Sequence, residues 1–361
     1  MSLNFETAEK LFKQDQINEL SKTAEGMRFL KVRSFSRSEY LEAFAQDIKL
    51  DLPDKKKLYF KTIYESSATI EQIDDFIKRV FSAERSVRCA EEDSLIAELY
   101  KIDSFGWSGS DQGGLEKPIV DNFVKKIRTY DGLKSAIENQ IFLNLQTYVY
   151  SSWYNHWTSI VIEDLLKEHD RVLPAIGLIK KIDFFVDNVP FDLKVTYLPE
   201  GYISDYRSEH GLGNETTKIR ALSRSLGLKV KDSGAVDLKG PALWQQLEDH
   251  PSTEAKNLLK EMRGIRQDIL AQVTDSPEIL AKWLYENQGE RRFDSSNRLF
   301  VVLVDSGQYF DSWKLKRAKP LIKQSVNNYL SKKNVPAGFD LDFDWESEVY
   351  SVRTDVIFVV K

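Results

Sequence analysis

Residues 182–197 contain two stretches in which apolar and polar side chains alternate, separated by a short turn. The apolar rows are Ile182, Phe184 and Val186 in the first stretch, and Phe191, Leu193, Val195 and Tyr197 in the second. Successive side chains of a β-strand point to opposite faces, so this pattern predicts a hairpin with one buried face. The sequence Asp187-Asn188 suits the two-residue turn that such a hairpin requires.

The polar face of this hairpin collects charged groups. Asp192 and Lys194 must project from the same face. A turn centred on Asp187-Asn188 places Asp183 across from Asp192, whereas a shift of one residue places it across from Lys194. Either register gathers two carboxylates and an ammonium group, and carboxylate oxygens are ligands that Mg²⁺ prefers. The backbone carbonyl of Leu193 is a further candidate oxygen ligand.

Composition limits the class of protein. The chain has 361 residues, of which 42% are hydrophobic and 30% charged, as in an ordinary globular protein with one large or two moderate domains. It contains no apolar run of about 18 residues, and residues 1–6 do not resemble a secretory signal. A single cysteine, Cys89, excludes an intrachain disulfide, and we expect it to be buried or inert. We therefore expect a cytoplasmic protein without a membrane segment.

The order of predicted elements indicates an α/β fold (α+β, with a mixed sheet). Residues 1–132 are expected to be mainly helical, a candidate DNA-binding or accessory domain, with helices beginning near Ser36 and Thr69 and a third at 91–101. A glycine-rich surface connection is expected at 104–118. Residues 133–361 should form a second domain. Its predicted order is a helix to His169, strands at 175–179, 182–186 and 191–197, helices at 214–226, 252–271 and 276–287, a buried strand at 299–304, a helix at 313–331 and a strand at 355–360.

The helix before the hairpin carries a further carboxylate. On the predicted helix Trp153–His169, Ile160 and Leu166 flank Glu163 at helical spacing, so Glu163 lies beside the apolar face. A carboxylate there requires a partner or a metal. The next residue, Asp164, is expected to be solvated.

Glu163, Asp183 and the run Asp192-Leu193-Lys194 together resemble the PD-(D/E)xK nuclease superfamily, whose restriction-endonuclease-like αβββαβ core has the same order of elements. The resemblance covers about residues 150–361. It implies that Asp183 and Asp192 bind metal, that Lys194 is the catalytic lysine, and that Glu163 is an auxiliary acid that completes the first metal site or helps to form a second. Ile182 stands where the motif nominally has proline.

The resemblance implies an Mg²⁺-dependent endodeoxyribonuclease, with Mn²⁺ as a substitute ion, of the type II restriction-endonuclease kind. Its expected partners are double-stranded DNA, a second copy of the chain and a cognate methyltransferase. The helical stretch from Leu133 to about His169, which is unusually rich in aromatic residues, is a candidate interface between two copies. Two alternatives remain open, namely a repair or structure-specific nuclease of the same superfamily and an inactive nucleic-acid-binding or protein-interaction module. Basic side chains that could contact phosphates are Arg220, Arg224, Lys256, Lys260 and Arg263.

Overall fold

A computed structural model of the chain describes residues 3–102, 119–177, 179, 181–228, 239–287, 296–332, 338–345 and 348–361. It has a six-stranded mixed sheet with helices on both faces, which confirms the α/β class. The expected connection at 104–118 lies outside the described residues. None of the helices within the described ranges is long and apolar enough to cross a membrane.

The strands follow the order β1-β2-β3-β4-β6-β5 across the sheet. Their bounds are β1 Val172–Pro174, β2 Phe184–Val186, β3 Val189–Tyr197, β4 Arg298–Val304, β5 Phe339–Trp345 and β6 Glu348–Val360. Strands β1, β2 and β3 form an antiparallel meander, β4 runs parallel to β3, and β6 runs parallel to β4. The edge strand β5 pairs with β6 in the antiparallel sense.

The hairpin adopts the register centred on Asp187-Asn188. Val186 pairs with Val189, and both turn residues have positive φ, 50° for Asp187 and 65° for Asn188. Asp and Asn tolerate this backbone conformation better than other side chains do, which explains the tight turn. The first strand of the meander lies at 172–174, so its prediction at 175–179 was wrong by about three residues.

The N-terminal part of the chain is helical, as predicted. Its helices are α1 Phe5–Lys13, α2 Ile17–Ser21, α3 Ala24–Arg33, α4 Ser38–Asp47, α5 Tyr59–Tyr64 and α6 Ile70–Leu99. Helix α6 begins with a capping box, in which Thr69 Oγ1 accepts from Gln72 N and Gln72 Oε1 accepts from Thr69 N. The predicted helices at 69 and at 91–101 are this one continuous helix.

The remaining helices surround the sheet. They are α7 Tyr130–Ala136, α8 Phe142–Lys167, α9 Glu200–Glu209, α10 Glu215–Ser225, α11 Lys239–Glu248, α12 Thr253–Asp275, α13 Pro277–Asn287 and α14 Lys319–Leu330. Single π-helical turns at Val120–Val124 and Ile137–Ile141 precede α7 and α8, and a 3₁₀ segment at Tyr309–Arg317 precedes α14. The sequence did not predict α9, α11 or β5.

Each face of the sheet has its own apolar core. Leu299, Val301 and Leu303 of β4 pack with α8 and α14, and the alternate residues Phe300, Val302 and Val304 pack with α9, α12 and α13. All seven residues of β4 are buried, as predicted for a central strand.

A third core joins the N-terminal helices to the meander. Side chains of α1 to α6 pack in one cluster with residues that precede or belong to the first two strands, namely Leu173, Ala175, Ile179, Ile182 and Phe185. The N-terminal helices therefore contact the hairpin directly and cover one side of it.

Candidate functional site

The candidate site lies on β3, beyond the point where β2 stops pairing with it. Strand β2 pairs only with residues 189–191 of β3, while β4 pairs with residues 192–197 on the other edge. The second half of β3 thus has a free edge with respect to the described strands. Phe191, Leu193, Val195 and Tyr197 belong to the core under α8, so the alternate residues Asp192 and Lys194 project from the opposite face.

Asp183 is bound to this free edge. Its backbone N–H donates to the carbonyl of Phe191 at 2.8 Å, and its carboxylate accepts from the N–H of Leu193 at 2.7 Å. The N–H and C=O of one strand residue point to the same edge. The Leu193 carbonyl is therefore directed toward the Asp183 side of β3, as its proposed role as a ligand requires.

Asp192 is held by two cationic groups. The Lys194 ammonium lies 2.8 Å from both of its carboxylate oxygens, and Arg298 Nε lies 3.7 Å away. Arg298 is the cross-strand neighbour of Asp192 on β4 and is buried, whereas the Lys194 side chain is 42% exposed. Burial lowers the pKa of Arg298. Lys194 can therefore move away from Asp192 into solvent, and Arg298 is confined.

Glu163 approaches from α8. Its carboxylate accepts a hydrogen bond from Lys167, one helical turn later, and Lys167 also donates to the carbonyl of Ala175 at 3.1 Å. Burial, the carboxylate of Glu163 and, less strongly, that of Asp192 raise the pKa of Asp183 to about 6. The hydrogen bond from Leu193 opposes this rise. The structure thus brings the three predicted acids close enough to interact electrostatically.

The donor set fits a hard divalent cation in chemical type. Carboxylates and a backbone carbonyl are oxygen ligands. Asp183 is largely buried near the carboxylates of Glu163 and Asp192, and among the described residues it has no ion-pair partner of its own. In this conformation Glu163 and Asp192 are occupied by lysines, and no three His, Cys, Asp or Glu side chains within the described ranges are arranged to hold a metal ion. Metal binding would require these two ion pairs to open.

The N-terminal helices fix the hairpin from its turn. The side chain of Lys31 on α3 is 1% exposed, and its ammonium group donates to Asn188 at the turn at 2.9 Å and to Asp74 on α6 at 2.8 Å. Near the other end of β2, Lys181 pairs with Asp15 at 2.8 Å. Local sequence patterns do not indicate these contacts, because each joins segments that are distant in the chain.

Three neighbours of the candidate site were not predicted, namely Lys167, Arg298 and Asn297. Lys167 had a readable signal, since it follows Glu163 at the i,i+4 spacing of a helical ion pair. Asn297 is buried and bridges two strands, donating to the carbonyl of Pro190 at 3.1 Å and accepting from the N–H of Arg353 at 2.8 Å. Arg298 and Asn297 reach the site only through the parallel pairing of β3 with β4.

The expectation for Asp164 was wrong, and that for Cys89 was wrong in part. Asp164 is buried and not solvated, because Arg88 binds both of its oxygens at 2.8 Å and Arg85 lies 3.7 Å away. The ion pairs of its carboxylate therefore link α8 to α6. For Cys89, expected to be buried or inert, the structure excludes burial, because the residue is exposed.

The predicted phosphate-binding side chains lie on two adjacent helices. Helices α10 and α12 are joined by an ion pair of 2.8 Å between Lys218 and Glu261. The exposed side chains of the predicted set are Arg224 on α10 and Lys256 and Lys260 on α12, while Arg220 is half-buried. Arg263 is engaged by Glu248 and by the ring of Trp244.

Comparisons of the chain with protein-family models, with curated proteins and with solved structures found no match.

Proposed function

We propose that the chain is a metal-dependent endodeoxyribonuclease with a PD-(D/E)xK site. The observation that carries this proposal is the meeting of Asp183, Asp192 and Glu163, with Lys194 beside Asp192, at the free edge of β3. The antiparallel meander followed by a parallel strand supports it, since the restriction-endonuclease-like αβββαβ core has this arrangement.

In this proposal each residue of the cluster has a separate role in metal binding or catalysis. Asp183, Asp192 and the Leu193 carbonyl would hold Mg²⁺ or Mn²⁺, and Glu163 would complete that site or contribute to a second one. The bound ion would acidify a water molecule and stabilise the charge that develops on the phosphate. Lys194, released from Asp192, would orient or deprotonate the attacking water, and it would offset charge on the phosphate.

The overall reaction would be hydrolysis of a DNA phosphodiester by in-line attack. Water adds to phosphorus, the bond to the leaving oxygen breaks, and that oxygen receives a proton. The products are a phosphate monoester and a free hydroxyl. A restriction role would add a sequence-specific double-stranded target, a homodimer and a cognate methyltransferase.

A non-catalytic module is the second candidate, and one observation favours it. The three acids are accompanied by three cations, Lys167, Lys194 and Arg298, so the cluster is balanced in charge without a metal. A protein that only binds nucleic acid or another protein would keep these ion pairs closed.

The test is cleavage of plasmid DNA by the full-length protein with Mg²⁺ or Mn²⁺, and with a chelator as the blank. We expect Asp192→Asn and Lys194→Met each to lower the cleavage rate by about 100-fold or more. Lys282→Met is the matched control, because Lys282 is similarly exposed and pairs with an acid, Glu286, away from the site. Unchanged cleavage by the Lys194 variant would refute the assignment.

The products distinguish the nuclease classes. Discrete fragments indicate a restriction enzyme, and smears or nicks at particular DNA structures indicate a general or repair nuclease. If no DNA is cut and isothermal titration detects no binding of Mg²⁺ or Mn²⁺, the non-catalytic module is the correct function.

A further inference from the structure

A crevice lies at the carboxyl ends of the parallel strands β3 and β4, where the chain leaves the two strands in different directions. After Leu198 the chain continues into α9, on the face of the sheet that α12 and α13 also cover. After Val304 it passes through the 3₁₀ segment to α14 on the opposite face. In open α/β sheets, small molecules bind preferentially in the crevice that opens where neighbouring strands diverge in this way.

The crevice is separate from the cluster of candidate acids. Asp192 lies at the start of the pairing between β3 and β4, and Leu198 lies six residues later, or roughly 20 Å along an extended strand. The centre of a water molecule can occupy about 20 Å³ of the crevice, and one bound water requires roughly 10 to 15 Å³ on this measure. The crevice can therefore enclose one group slightly larger than water.

Arg266 supplies buried donors to this crevice. It lies on α12, lines the crevice and is 9% exposed. Its Nη2 donates to Glu215 on α10, whereas its Nε and Nη1 are buried and have no hydrogen-bond partner among the described residues. Buried donors of a charged group are costly to leave unpaired, so a bound acceptor at this position would be favoured.

Aromatic rings hold the Arg266 guanidinium in place. Its Cζ lies 3.7 Å from the ring centroid of Tyr309, 5.0 Å from that of Trp244 and 5.2 Å from that of Phe310. The Tyr309 hydroxyl also donates to the carbonyl of Leu198, which links the loop after β4 to the end of β3. The donors are therefore positioned before a ligand arrives, which lowers the entropic cost of binding.

The charges around the crevice favour an anionic ligand. Arg263, one turn before Arg266, adds a second guanidinium to the lining, and its pairing with Glu248 leaves it about one third exposed. Asp305 is the single acid among the lining residues that the structure describes. Its carboxylate accepts two N–H groups of its own loop and pairs with Lys361 at 3.0 Å, so its charge is already compensated.

We propose that the crevice binds the oxyanion group of a small molecule, a phosphate or a carboxylate, which accepts hydrogen bonds from Arg266. Both groups present several acceptor oxygens, and a guanidinium matches them in shape and charge. The enclosed space admits one such group, and the rest of the ligand would lie at the mouth beside Gln267, which is exposed. The inference is independent of the proposed nuclease activity, and Arg266 is not among the side chains expected to contact DNA.

The experiment is isothermal titration of the full-length protein with inorganic phosphate and, separately, with acetate, at constant ionic strength. We expect at least one of these anions to bind with a dissociation constant of about 1 mM or below, and the tighter one identifies the group. Arg266→Met combined with Glu215→Gln removes the guanidinium without leaving its buried partner charged. This double variant should raise the dissociation constant at least about 10-fold, because it removes a charge-assisted hydrogen bond.

The matched control is Lys218→Met combined with Glu261→Gln. The pair Lys218–Glu261 also joins α10 to α12, at 2.8 Å, but neither residue lines the crevice. The control should bind the anion as the wild type does. Circular dichroism establishes that both double variants are folded. If the Arg266 double variant is not, Arg266→Lys keeps the charge beside Glu215, removes most of the N–H donors and should weaken binding in the same direction.

Three results would overturn the proposal. The first is a wild type that binds neither anion in the millimolar range. The second is equal affinity in the Arg266 variant and the control. The third is displacement of the bound anion by a DNA duplex, which would assign the Arg266 donors to a DNA interface instead of a small-molecule site.

Discussion

Replacement of Asp183 by Asn should stabilise the protein at neutral pH. Burial and the neighbouring carboxylates of Glu163 and Asp192 raise the pKa of Asp183 from 3.8 to about 6. The ionised form therefore costs folding free energy. Asn has nearly the same shape, and its side-chain oxygen can still accept the hydrogen bond from Leu193 N, so the substitution removes the charge and keeps the contact.

The magnitude follows from the difference of about two pH units between the two pKa values, at 1.36 kcal/mol per unit. The unfolded chain loses its proton from residue 183 above about pH 4, but the folded chain does so only above about pH 6. The stability of the wild type therefore falls between these values, whereas the amide that replaces the carboxyl group in the variant does not titrate. The variant should gain about 0.5 kcal/mol relative to the wild type at pH 4, and about 3 kcal/mol at pH 7.

The assay is urea unfolding of both proteins at pH 4, 5 and 7, with a chelator present to exclude divalent ions. Asp187→Asn is the control, since Asp187 is on the same hairpin but is 38% exposed and pairs with Arg171. That variant should be slightly less stable than the wild type at neutral pH. The reasoning is refuted if Asp183→Asn is no more stable than the wild type at pH 7, or if its gain is the same at all three pH values.

Three further predictions concern the framework of the site, and each is measured by urea unfolding against the wild type. Burial lowers the pKa of Lys316 to about 8 from 10.5. The unfolded chain then binds more protons between these values, so stability should rise by about 2 kcal/mol from pH 7 to pH 9.5, and Lys316→Met should lack this increment. Asp164→Ala removes the carboxylate that Arg85 and Arg88 share and should cost about 2 kcal/mol, since Arg85 keeps its ion pairs with Glu92 and Glu168 and Arg88 is partly exposed. Asn297→Ala removes the bridge between β3 and β6 and should cost about 2 kcal/mol, with faster hydrogen exchange at the Arg353 amide, which loses its acceptor.

The hairpin could be predicted because its information is local. The alternation of residues 182–197 specifies which side chains are buried, and Asp187-Asn188 specifies the turn and therefore the register. The buried strand β4 was likewise predictable from its continuous apolar run. Strand β5 had a readable signal too, since Phe339, Leu341, Phe343 and Trp345 alternate with aspartates, but this pattern was missed.

The surroundings of the candidate acids could not be predicted in the same way. Arg298 reaches Asp192 through parallel pairing between distant segments, and helical periodicity could not indicate that Arg85 and Arg88 of α6 would bury Asp164. Residues 172–174 carry the first strand because they pair with β2, although the apolar run that follows them is the stronger local signal. In each case the observed structure depends on a tertiary contact between distant segments, and the local sequence pattern does not indicate that contact.

The core shared by α1 to α6 and the meander has a consequence for the order of folding during synthesis. The N-terminal helices leave the ribosome first, and their contacts are mostly local, so they can form before the hairpin is made. When Phe185 and Asn188 leave the ribosome, the apolar surface of these helices would already be formed and could pack against Phe185, and Lys31 could bind Asn188. The hairpin that bears Asp183 and Asp192 would thus fold against a preformed template, well before β4 and β6 have been translated.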